Sequence, residues 1–283
     1  MSIKFGPSGN SEIFYKMGYK KSVEAPKFLK NFGLNAYEYS FGRGYTMGNE
    51  TAISIGNEAE KNGISVSIHA PYYINFANES DEMAEKSYNY ILTGLKLLKL
   101  MKGNHLVFHV ASQGKQSREN AINLTRERVR KLVEKIYENG YDDMNICPET
   151  MGKPMQIGTY KEIIDICEID KILVPTFDFG HIYSLNLGEF GIYDDYKQVF
   201  EYAILKLGFE RASNCHIHFS KIEYGNKGEI RHLNFEDDGF GPDFYPLAQV
   251  IKDMNLTPTI ICESHSKMAE DALTMKQIYE NLK

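Results

Sequence analysis

Six short apolar runs in this chain end on a side chain able to hold a cation. Residues 64–68 run into His69, 106–108 into His109, 144–148 into Glu149, and 259–262 into Glu263. Residues 214–215 lead to His216, and 171–175 open onto Thr176-Phe177-Asp178-Phe179-Gly180-His181. Each run has the length and apolar content of a buried strand. One site can collect six such ends only if the strands run parallel and finish on a common face. That requirement constrains the fold more than any other feature of the sequence.

The rest of the chain fits it. Strands are expected at 3–6, 34–40, 64–69, 105–109, 144–149, 172–178, 214–219 and 259–263, and helices at 82–101, 118–139, 160–167, 196–207 and 244–254. Leu92, Leu95, Lys96, Lys99 and Leu100 have the spacing of a helix laid on a sheet. Gly33, Gly63, Gly103, Gly140 and Gly208 each follow a helical stretch, as left-handed caps do. Thr159-Tyr160-Lys161-Glu162 reads as a capping box. Eight strand–helix units in 283 residues predict one α/β domain over 1–283, a (β/α)8 TIM barrel with its active site at the C-terminal ends of the strands. The longest loop, 221–242, follows the seventh strand, and a loop of that length is expected to be functional.

The net charge of -6 and the absence of a Lys/Arg-rich run argue against a broadly basic nucleic-acid surface, although divalent metals would make a cleft locally positive. The four cysteines form no Cys-x-x-Cys pair, which disfavours thiolate zinc and a disulfide framework. The N-terminal residues lack a signal-peptide core and no apolar run reaches membrane-spanning length, so a cytoplasmic protein without a membrane partner is expected. Asp178-Phe179-Gly180 also occurs in kinases, but no glycine-rich loop or His-Arg-Asp motif accompanies it.

Singly, a strand histidine has an ordinary reading as a core residue and a strand-end carboxylate as a helix cap. His105, at the start of its strand, belongs to the opposite face, and His265 to a loop or outer shell. Jointly, His69, His109, Glu149, Asp178, His181, His216 and Glu263 recur at one phase of the repeat, which points to a metal site. Imidazole and carboxylate without thiolate suit zinc, with manganese or iron as alternatives. There are more ligands than one ion needs, so two or three ions are expected, with Glu149 bridging. Such clusters suit phosphoryl displacement.

The series Ile68-His69-Ala70-Pro71-Tyr72, Val107-Phe108-His109, Pro148-Glu149-Thr150, Phe177-Asp178-Phe179-Gly180-His181, His216-Ile217-His218-Phe219-Ser220-Lys221, Ile230-Arg231-His232 and Ile261-Cys262-Glu263 resembles the endonuclease IV family over nearly the whole chain. The resemblance implies a (β/α)8 barrel of the xylose-isomerase-like superfamily that holds three zinc ions and cleaves DNA 5′ to abasic sites. It implies His69, His109 and Glu149 for the first zinc, Glu149, Asp178, His216 and Glu263 for the second, and His181 with His232 for the third. Glu149, Glu263 and Tyr72 are then the expected catalytic residues, Tyr72 beside the abasic nucleotide, with Arg43 a candidate grip on DNA. Abasic DNA is the implied partner, and a monomer is expected.

Two positions depart from the family. Ile230-Arg231-His232 stands where the family has Asp-x-His, which removes a carboxylate from the third site. Glu229, Asp237 or Asp238 could replace it, but in extended backbone Glu229 would point to the opposite side, so a weakly held third ion is expected. His218-Phe219 replaces Asn-Asp; His216 keeps the family's interval to Lys221, leaving His218 to an outer shell. A single-metal sugar isomerase or epimerase would match only at Glu149, Asp178, His216 and Glu263, and a metal-stabilised binding barrel is a third reading. The additional histidines favour the nuclease.

Overall fold

A side chain at Gly6 would collide with the carbonyl oxygen of Ala36, and that close approach marks where the first strand meets the second. The computed structural model describes residues 2–282; Met1 and Lys283, the ends of the expected 1–283 domain, lie outside the described residues. Eight strands form one parallel sheet: β1 (Lys4–Pro7), β2 (Ala36–Ser40), β3 (Ser65–His69), β4 (His105–His109), β5 (Asn145–Glu149), β6 (Thr176–Asp178), β7 (His216–Phe219) and β8 (Thr259–Cys262). Strands adjacent in sequence pair in parallel from β2 to β8, and β8 pairs with β1. A parallel bridge between Ser8 and Glu38 closes the ring. The protein is a (β/α)8 barrel, as its sequence predicts.

The sixth strand is shorter than expected because Pro175 has no N–H to give the ladder. Upstream of it, only a bridge from Leu173 to Ile146 continues the pairing. Helices Asp81–Leu100, Arg118–Glu138, Tyr160–Cys167, Tyr193–Leu207 and Phe244–Asp253 cover the five expected segments. Thr159 and Glu162 form the expected reciprocal cap. Gly33 and Gly63 are left-handed caps, but Gly103 is not. Lys102 takes the left-handed conformation (φ 54°), and Gly103 is needed because a Cβ there would strike Leu98 and the Val66 carbonyl. Gly208 has positive φ but an extended ψ of 158°, outside the helical cap region.

The two-residue alternation of the strands sorts the side chains. Phe108, Ile146, Phe177, Ile217 and Ile260 face the helices and belong to the main apolar core. Inside the barrel, Val107, Cys147 and Val174 make a small apolar cluster. The other inward positions are largely polar: Lys4 Nζ donates to Ser65 Oγ (3.0 Å), and Ser67 Oγ to Glu38 Oε2 (2.9 Å). A barrel interior is usually packed with branched apolar side chains. This one spends its upper half on histidines and carboxylates.

The loop after β7 folds as an antiparallel hairpin, Lys221–Gly225 with Gly228–Leu233. Among the described residues, no helix is long and apolar enough to cross a membrane.

Candidate metal centre

Glu149, at the end of β5, is the hub. It is fully buried, and its Oε2 lies 3.0 Å from His69 Nε2 and 3.1 Å from His109 Nε2, at the ends of β3 and β4. His69 Nδ1 donates to the Ala70 carbonyl oxygen (2.8 Å), so its Nε2 is the nitrogen aimed at the site. His69, His109 and Glu149 form one group with donor atoms close enough to share a cation.

A second group shares Glu149 and adds Asp178, His218 and Glu263. His218 Nδ1 is 2.8 Å from Glu149 Oε1 and 3.6 Å from Glu263 Oε2. This corrects the sequence expectation, which put His216 here. Both histidines point inward, but the barrel has depth. His218 is at the level of Glu149, whereas His216 lies two residues deeper and pairs with Glu38 Oε2 at 2.9 Å. Counting back from Lys221 could not resolve this, because the two residues share strand parity. Asp178 uses Oδ1 to cap the helix Phe179–Leu185, accepting from the His181 N–H at 2.8 Å. Its Oδ2 is buried with no hydrogen-bond partner.

The third group is His181, Glu229 and His232. Here too the expectation is corrected: Glu229 faces the site, with Oε2 3.5 Å from His181 Nε2 and Oε1 4.0 Å from His232 Nε2. Three residues apart on a regular strand, Glu229 and His232 would face opposite ways. In the hairpin, Glu229 pairs with Tyr224 and His232 with Ile222, two residues apart on the partner strand, and the register shifts between Glu223 and Tyr224. Ile230 is the additional residue of a β-bulge, which restores the parity. Backbone contact fixes the aim, since Glu229 N–H donates to the Gly152 carbonyl oxygen (3.0 Å) and a Cβ on Gly228 would strike that same oxygen. Asp237 instead accepts from the Asn234 N–H and turns the loop.

His181 Nδ1 donates to the Thr150 carbonyl oxygen (2.9 Å), and His232 Nδ1 is hydrogen-bonded to Ser220 Oγ (2.8 Å). Both therefore present Nε2 to Glu229. Anchoring one ring nitrogen so that the other faces a common point is how metal-binding histidines are oriented.

The electrostatics favour cations. Burial works against charging His69, His109 and His181, and it holds His109 below the ordinary histidine value. For His69 burial is outweighed by the hydrogen bond and charge of Glu149, which hold it up at about 9. For His181 it is outweighed by Asp178, Glu149 and Glu229, again to about 9. Carboxylates that hold buried imidazoles up in this way make a pocket of negative potential, which fits divalent cations that would take the ring nitrogens in place of protons. Two donors about 2.1 Å from one tetrahedral zinc are ~3.4 Å apart, close to the spacings within these groups. The imidazole and carboxylate donors, and the orphaned Asp178 Oδ2, fit zinc, manganese or iron.

Tyr72 stands at the rim, 59% exposed, its ring centroid 5.3 Å from that of His109 and 5.8 Å from that of His69. Arg43 is exposed in the loop after β2. His265 lies beyond the third group, beside Asp237 and Asp238. His105 sits at the opposite end of β4, hydrogen-bonded to Asn104. Sequence reasoning passed over Glu38, whose signal was a carboxylate in the middle of an expected strand.

The chain is similar over most of its length to an uncharacterized protein, MJ0133 of Methanocaldococcus jannaschii: 31% identical over 274 residues, 95% of this chain and 97% of that one. It is 32% identical over 172 residues to a protein named "Probable endonuclease 4" of Methanosphaera stadtmanae, a match spanning 58% of either chain. Among solved structures, endonuclease IV from Thermus thermophilus superposes with a TM-score of 0.66 at 17% identity, over 98% of this chain and 97% of that one. A D-tagatose 3-epimerase-like protein does so with 0.70 at 15% identity, over 98% and 96%. At such identities these two likenesses speak for the fold alone. The model of the xylose isomerase-like TIM barrel family matches residues 26–281, nine-tenths of a chain whose closed parallel barrel carries polar strand ends at one mouth, and this protein belongs to that family.

Proposed function

We propose that this protein is a metal-dependent phosphodiesterase that incises DNA 5′ to abasic sites, with two or three zinc ions, or manganese or iron, as its cofactors. The observation that carries this reading is the third donor group, His181–Glu229–His232, beside two groups that share Glu149. A single-metal sugar isomerase needs Glu149, Asp178, His218 and Glu263 and has no use for five further donors. Bound cations would act as Lewis acids on a phosphodiester, stabilising its attacking and leaving oxygens.

The chain's own residues would do the rest. His69, His109 and Glu149 would hold the first ion, Glu149, Asp178, His218 and Glu263 the second, and His181, Glu229 and His232 the third. Tyr72 offers an exposed aromatic face beside His69 and His109, suited to packing against an extruded sugar. Its hydroxyl, raised above the ordinary tyrosine value by burial and by Glu263 and Glu149, keeps its proton and can donate a hydrogen bond. The "Probable endonuclease 4" relatives support the same reading. The test is to offer the zinc-loaded protein duplex DNA with one abasic site and, separately, free ketoses. Incision leaving a 3′-hydroxyl is expected; ketose interconversion without incision would move the assignment to the epimerase branch.

A further inference from the structure

Beneath the candidate metal centre lies a second buried layer that the proposed chemistry does not use. Glu38, on β2, is fully buried, as are His216 and His218 on β7. Glu38 Oε1 is 2.9 Å from His218 Nε2. Its other oxygen, Oε2, accepts from His216 Nε2 and from Ser67 Oγ, both at 2.9 Å. On the far side of the same ring, His218 Nδ1 faces Glu149 at 2.8 Å.

We infer that Glu38, clamped by His216 and Ser67, is a positioning residue that fixes the ring of His218 and turns its Nδ1 towards the metal centre. The physical reasons are three. An imidazole with one nitrogen facing a carboxylate keeps its proton there and offers the other nitrogen as a ligand. A buried carboxylate is costly unless its oxygens are satisfied; Glu38 Oε2 has two hydrogen-bond donors, and Oε1, which has no hydrogen bond, has His218 Nε2 beside it at ion-pair distance. The clamp also explains why His216, the histidine expected to bind metal, sits one layer too deep: it holds the residue that holds the ligand. The donor atoms of Glu38, His216 and His218 are close enough to share a cation of their own. However, Glu38 Oε2 already accepts two hydrogen bonds, and His218 has one nitrogen for each side, so positioning accounts for the geometry better.

The inference rests on the metal reading above, and its test separates the two. Zinc affinity is measured by chelator competition on full-length wild type, Glu38→Gln and His216→Asn, with cobalt(II) absorption spectra of each and a thermal melt to establish folding. Loss of an outer-shell partner typically weakens metal binding about tenfold to a hundredfold. Glu38→Gln should show a loss of that size for one class of ion, with a changed cobalt spectrum, and leave the Glu229-dependent class as in wild type. His216→Asn should shift the same class in the same direction by less. Folded Glu38→Gln with wild-type competition curves and cobalt spectrum overturns the inference, and so does an additional wild-type ion that His216→Asn alone abolishes. Should Glu38→Gln fail to fold, unchanged affinity in His216→Asn overturns it equally. Wild type that binds no zinc defeats the metal reading itself, a result distinguishable from all of these.

Discussion

Replacing Glu229 with glutamine tests the least expected part of the site. Glu229 Oε2 lies 3.5 Å from His181 Nε2 and Oε1 4.0 Å from His232 Nε2, near the ~3.4 Å edge of a tetrahedral zinc site. That is the spacing of a ligand. Losing an outer-shell partner costs about ten- to a hundredfold in affinity, so losing a ligand should exceed the upper figure, more than ~2.8 kcal/mol at about 1.4 kcal/mol per decade. Glutamine has nearly the same shape, so the hairpin should persist. Chelator competition with zinc should find one ion weakened more than about a hundredfold and the others unchanged. Ile230→Asp is the control, since Ile230 is the bulge residue and 57% exposed; a carboxylate there should add nothing. Wild-type affinity in Glu229→Gln, or tighter binding in Ile230→Asp, would refute the bulge argument.

Further outcomes are expected at four positions. Glu149→Gln should abolish incision and the binding of two ions while leaving the far-ultraviolet spectrum unchanged; retained activity would remove Glu149 from the centre. His105 is pushed down to about 3 by burial, then by His216 and Lys4. The unfolded chain therefore takes up that proton more readily, and the stability it contributes is present above about pH 6.5 and lost as pH falls below it. Thermal melts of His105→Gln across pH 7 to 4 should decline less steeply than wild type, by on the order of 3 kcal/mol at pH 4; equal slopes would contradict the shift. Gly103→Ala should destabilise by about 1–3 kcal/mol through overpacking, whereas Lys102→Gly should stabilise by about 1 kcal/mol by relieving a left-handed residue. A neutral Gly103→Ala would mean that strand β3 can yield there.

Most of the fold was legible because each level of the sequence said the same thing. Apolar runs of strand length alternate with capped helices, and the donors recur at one phase, which only a ring of parallel strands can reconcile. The differences at the metal centre share a cause: each concerns depth or parity, which a one-dimensional reading sets by counting. His216 and His218 share a face, and only the height of Glu149 in the barrel distinguishes them. Glu229 and His232 are an odd number of residues apart, and only a bulge, which has no sequence signature in Gly228-Glu229-Ile230-Arg231, puts them on one face. Gly103 looked like a cap because it follows a helix, yet its role is set by Val66 and Leu98, which its position in sequence does not reveal.

On the proposed function, the barrel mouth holds a cluster and not a single ion. Anomalous scattering at the zinc edge, from crystals of protein purified without chelator and soaked in zinc, tests it most directly. Three peaks are expected: one between His69, His109 and Glu149, one between Glu149, Asp178, His218 and Glu263, and one between His181, Glu229 and His232. A single peak within the Glu149–Asp178–His218–Glu263 group at saturating zinc would contradict it, because one ion there is what a sugar epimerase requires and a phosphodiesterase cluster does not.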